Sequence, residues 1–138
     1  MSDVFARNRT ETELQFRVNA VELQIEISKY VMREKVMPKK WRYAIGYPLI
    51  NKVDELVDNI TYANSIYPTD EKELKKRKMY QTLAIANCYQ IQNKLIRMLK
   101  CVETTKVKQI EIIIEKLSRE AELLSGWRKS SKVIEVKK

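Results

Sequence analysis

Residues 70–102 read DEKELKKRKMYQTLAIANCYQIQNKLIRMLKCV. Asp70 carries a side-chain oxygen of the kind that caps helix starts, and Glu73 three places on completes a capping box. No Pro or Gly follows before Val102. The stretch is therefore expected to be one helix, roughly 45 Å long. Successive side chains turn by about 100°. On that projection Ala84, Cys88, Ile91, Leu95, Met98, Leu99 and Val102 gather on one side. Lys72, Lys75, Lys76, Lys94, Arg97 and Lys100 gather on the opposite side, with Gln90 and Asn93 among them. One face is suited to burial, and the other carries cations and amides.

The segment holds eight Lys/Arg against Asp70, Glu71 and Glu73, and from Gln81 to Val102 it has no acid. A helix that is merely solvated tends to mix signs, with Glu placed before Lys at i, i+4. The missing carboxylates point to an anionic partner, nucleic acid or a membrane surface. Lys72, Lys75, Lys76, Lys94, Arg97 and Lys100 are the candidate nucleic-acid contacts. Arg77 and Lys78, though adjacent in sequence, point elsewhere, because consecutive helical residues diverge. Between the two basic ends lie Met79, Leu83 and Ala86. An apolar patch on an outward face is expected to be a contact with another subunit.

The rest of the chain frames this helix. With 138 residues, two glycines and three prolines, the composition argues for one all-α domain. Residues 1–70 hold ten basic and ten acidic residues, so residues 71–138 supply the whole net charge of +9. Residues 1–9 show no usable pattern and are expected to fray. Thr10 and Glu13 form a second capping box that opens helix one. Leu14, Val18, Val21, Ile25 and Met32 make one apolar stripe, and Phe16, Leu23, Ile27 and Tyr30 a second. Two stripes predict contacts on more than one side. The helix should end near Val36, because Pro38 disfavours helix at Met37.

Helix two is expected to begin at Lys39 or Lys40. Pro48 inside it would clash with the carbonyl of Ala44, which predicts a kink or a late start. Leu49, Val53, Leu56, Val57 and Ile60 then form a stripe to about Ile66. Trp41, Tyr43 and Tyr47, beside Lys39, Lys40 and Arg42, could serve as a stacking platform for single-stranded bases. The preferred reading is that they cover the open end of the helices. Helix four should start at Thr104 or Thr105. Its heptad runs Val107, Ile110, Ile114, Leu117, Ala121 and Leu124, widened by Ile112 and Ile113. Gly126 is the expected C′ residue, followed by a basic tail from Trp127 that includes Glu135 and is loosely ordered at its end. Four amphipathic helices with short loops predict an antiparallel up-down-up-down bundle.

Chemistry is sparse. The chain has no histidine, which excludes imidazole catalysis and histidine metal sites. Cys88 and Cys101, thirteen apart on one helix, are too far apart for a disulfide and too few for zinc. They read as small buried hydrophobes in a reducing compartment. No glycine-rich phosphate loop is present. No catalytic residue, metal site or cofactor is expected, and the protein reads as a non-enzyme. No signal peptide and no long apolar run appear, so the expected location is cytoplasmic, without a membrane partner.

Several short motifs, in order, resemble a known family. They are the basic third helix, a Pro-x-x-x-Arg-aromatic-x-aliphatic-Gly lead-in to helix two (Pro38, Arg42, Tyr43, Ile45, Gly46) and a terminal Leu-x-Gly-Trp (Leu124, Gly126, Trp127). Over about residues 12–130 the chain resembles the accessory variability determinant proteins of diversity-generating retroelements. These fall within a wider group of four-helix proteins that includes those encoded in 23S rRNA intervening sequences. Pro48 and the two terminal extensions depart from that pattern. The resemblance implies a homo-pentamer that binds RNA and DNA and the element's reverse transcriptase, and that assists mutagenic copying without catalysis of its own. An orphan protein of the intervening-sequence type, or a structural helical adaptor whose charge serves only solubility, are the alternatives.

Overall fold

The computed structural model describes the backbone of residues 2–134 and the side chains of residues 15–134. The described chain is all-helical. In order it forms α1 (Ser2–Val31), a three-residue α2 (Lys39–Trp41), a π-helical turn (Arg42–Gly46), α3 (Tyr47–Ser65), α4 (Glu71–Cys101) and α5 (Val107–Ser130). The packing pairs are α3 with α4, α4 with α5, α1 with α3, and α1 with α5. They enclose one apolar core.

α4 follows the pattern of its sequence. The Asp70 carboxylate accepts from the Glu73 N–H at 2.8 Å. Ala84, Cys88, Ile91, Leu95, Met98 and Val102 are all buried, and Leu99 packs beside them. Full burial of one Leu- or Ile-sized side chain contributes about 1.5–3 kcal/mol, so this stripe alone anchors the helix. In α3, Leu49, Val53, Leu56 and Ile60 are buried, with Val57 packed against them.

α1 departs from expectation in three ways. Its backbone is helical from Ser2, so Thr10 lies inside the helix instead of opening it, and the capping-box side chains fall outside those described. It ends at Val31, short of Val36. Leaving the helix early lets the chain turn and bury Met37 completely, with the Met37 N–H bonding the Arg33 carbonyl at 2.8 Å. Only one of the two stripes is used. Phe16, Leu23, Ile27 and Tyr30 are buried, whereas Val18, Val21, Ile25 and Met32 are 41–49% exposed. Both neighbours of α1, α3 and α5, contact its other face, and nothing among the described residues covers this one. Leu14 lies outside the described side chains.

The Pro48 problem is solved by the π-helical turn. Its wider loop closes with the Tyr47 N–H bonding the Arg42 carbonyl, and α3 starts there with Pro48 in its first turn. A proline is tolerated in that position because its missing N–H would have no partner inside the helix. Gly46 is needed here for space. A Cβ added to it would sit 2.8 Å from Val31 Cγ1, so α1 and the turn can approach closely only at glycine.

Three expectations for the last helix change. Its N-cap is Lys106, not Thr104 or Thr105. Those threonines bond carbonyls instead, Thr104 that of Val36 and Thr105 that of Val102. Val107 and Ile112 are exposed, and Ile113 takes the core position. The helix runs through Gly126 to Ser130 with no positive φ, so Gly126 is not a C′ residue. Continuing the helix carries Trp127 inward, where its ring stacks on Phe16 at 4.4 Å and lies under the Arg77 guanidinium at 5.2 Å. The chain beyond then crosses back, with the Ile134 N–H bonding the Pro68 carbonyl at 2.9 Å. Glu135 lies outside the described residues.

Candidate nucleic-acid interface

The candidate cations all sit on α4, turned away from its buried stripe. Lys72, Lys75, Lys76, Arg97 and Lys100 are exposed, and Lys94 is half-buried. Gln90 and Asn93 are exposed between them. They form two groups, with Lys76 and Lys94 about 27 Å apart along the axis. Among the described residues, the ion pair in this set is Lys76 with Glu73 at 3.8 Å, between an exposed and a half-buried side chain at the surface. Pairs of that kind contribute little and leave the charge available. Arg77 is directed away from the row, donating to the Ile66 carbonyl at 3.1 Å and lying over Trp127.

Met79 and Leu83 are 50% and 44% exposed, and Ala86 is half-buried. Sequence reading places these residues on an outward face; the structure adds that Leu83 and Ala86 line a cleft of about 330 Å³ against α3. Lys52, Glu55, Asp58, Asn59 and Tyr62 form its other wall. Asn87 ties the walls together. It accepts from Asn59 at 2.7 Å, and donates to Gln90 at 3.0 Å and to Glu55 at 3.3 Å. Its near-complete burial makes these bonds matter, since an unpaired buried amide is costly.

Two features escaped sequence reading. Glu120 is 1% exposed on the core face of α5. Among the described residues, neither carboxyl oxygen makes a hydrogen bond of good geometry, and the Asn19 side chain gives it only weak polar company. Burial pushes its pKa up from 4.5 to about 8, against a smaller opposing effect from the Asn19 side chain. The Cys88 thiol is pushed up to about 12, first by its own burial and second by Glu120. A thiol so placed is inert at neutral pH. Cys101, by contrast, is exposed, which corrects the expectation that both cysteines are buried.

The second feature is the exposure of Tyr43, a residue the sequence offers as a stacking aromatic and assigns to covering the end of the helices. It is 84% exposed, more than any other large apolar or aromatic side chain described. A ring so exposed does not close the end of the fold, so the aromatics do not do so jointly. Trp41 does pack against the core, and Tyr47 is 39% exposed with its ring edge-on to Tyr43 at 5.5 Å.

Among the described residues, no group of three or more His, Cys, Asp or Glu is placed to hold a metal ion. None of the described helices is long and apolar enough to cross a membrane. No family model, no curated protein and no solved structure matches this chain.

Proposed function

We propose that this protein is a non-enzymatic, cytoplasmic nucleic-acid-binding accessory protein of a diversity-generating retroelement, acting as a homo-oligomer. The observation that carries the binding reading is the exposed row on α4. Cations occupy both ends of one face, and no acid lies within its C-terminal half. Such a row would contact phosphates and position a strand without reading its sequence. The retroelement assignment, with reverse transcriptase as protein partner, rests on the order of the sequence motifs.

The same reading takes the fold to be an antiparallel up-down-up-down four-helix bundle. Cross-helix bonds support it. Partners of α3 fall along α4 as residue number rises, from Asn59 with Asn87 to Ile66 with Arg77. α4 and α5 run likewise, from Thr82 with Arg128 to Gln92 with Ser118. α1 and α5 do the same, from Phe16 with Trp127 to Tyr30 with Lys106.

Two apolar strips support a ring, and a pentamer is the size the motif resemblance implies. A closed ring needs two different surfaces that fit each other. The strips are Met79, Leu83 and Ala86 on α4, and Val18, Val21 and Ile25 on α1 with Met32 just past its end. With α3 and α5 between them, these two helices would occupy opposite corners of the bundle. Head-to-tail joining of the strips would concentrate positive potential, and bound polyanion would offset the repulsion.

The partner reading is tested by co-expressing the chain with the retroelement's reverse transcriptase and purifying the pair. A complex that survives nuclease and high salt is expected. Failure to associate with folded enzyme and RNA present would return the protein to an orphan helical role.

A further inference from the structure

We propose that Tyr43, on the π-helical turn, is a stacking site for an unpaired base of single-stranded nucleic acid, an inference that rests on the nucleic-acid reading above. A phenol ring of this size is normally drawn into a core or an interface, because burying it is favourable. Tyr43 is instead 84% exposed. Its neighbours hold it up. The Tyr47 ring meets it edge-on at 5.5 Å, and Trp41, beneath Lys40 at 5.8 Å, is packed against the core. The Tyr43 ring is therefore braced by Tyr47.

The surroundings fit an anionic strand. Lys39 and Lys40 are exposed beside it, Arg42 is half-buried, and the chain has no acid between Glu34 and Asp54. Among the described residues, nothing accepts a hydrogen bond from the buried Arg42 Nε. Exposed aromatic faces bordered by cations are what single-strand binders use: cations follow the phosphates, and bases stack on rings. A duplex offers no free base face, so the site selects single strands. It also differs in kind from the α4 row, which carries cations and amides but no exposed ring among the residues assigned to it.

The test compares a fluorescently labelled oligoadenylate with an abasic strand of equal length, by anisotropy at fixed salt. Wild-type protein is expected to bind the base-bearing strand about tenfold more tightly. Tyr43→Ala should abolish that difference while leaving abasic affinity and helix content unchanged. Tyr43→Phe should preserve it, since stacking needs the ring and not the hydroxyl. Equal wild-type affinity for the two strands would overturn the stacking site and leave the α4 reading intact. So would a difference that persists in Tyr43→Ala. If Tyr43→Ala leaves oligonucleotide binding alone but removes a nuclease-resistant protein complex, the ring is a protein contact and the proposal is wrong. If wild-type protein binds neither strand, the nucleic-acid reading fails along with it.

Discussion

Replacing Glu120 by Gln removes a carboxyl from a place where its charge cannot be solvated. The group titrates near 8 in the folded chain against 4.5 for a free side chain. A folded-state pKa above the unfolded one means that the folded state holds the proton longer. Relative stability from this group is therefore complete below about pH 4.5. It falls as pH rises toward 8, and is flat beyond. Each pH unit in that window costs about 1.4 kcal/mol, so about 3 kcal/mol is lost between pH 4.5 and 7. Against a typical total of about 5–15 kcal/mol this is a large fraction. Glutamine keeps the shape and has no charge to bury. Urea denaturation followed by circular dichroism, at steps from about pH 5 to about pH 8, compares the two proteins. The advantage of Glu120→Gln over wild type should grow steadily with pH. A difference that stays constant across the window would refute the claim that the carboxyl is the cause.

Gly46→Ala should destabilise by about 1–3 kcal/mol in thermal or urea melts, because its Cβ would meet Val31 Cγ1 at 2.8 Å. Adding Val31→Ala should recover part of the approach space, giving a non-additive pair. Leu83→Glu and Ile25→Glu, one in each exposed strip, should each shift native mass toward smaller species with helix content retained. An unchanged mass in either variant removes that strip from the interface.

Legibility differed from element to element for physical reasons. The buried stripe of α4 was plain because its 3.6-residue period runs unbroken and its flanks are charged. Pro48 announced a kink, though not that a π-helical turn would supply it, since that depends on how near Val31 comes to Gly46. The two stripes of α1 were both visible. Which one is buried depends on where α3 and α5 lie, and no local pattern encodes that. Glu120 was invisible because a single acid beside a heptad looks like ordinary flank. Gly126 looked like a terminator, but the Trp127 contacts with Phe16 and Arg77 outweigh a glycine's local preference. The α4 cations were legible as a row. The exposure of Tyr43 was not, because an aromatic residue beside a proline kink gives no sign of whether anything will cover it.

The central claim is that α4 binds nucleic acid through charge. Its most direct test is the salt dependence of binding to duplex DNA, for wild type and for the double variant Lys94→Glu, Arg97→Glu. Each phosphate neutralised contributes about −0.9 to the slope of log K against log salt. The wild-type slope should be steep. The variant should bind more weakly, with a slope flatter by about 2. A wild-type affinity unchanged between low and high salt, or a variant slope equal to that of wild type, would contradict the account.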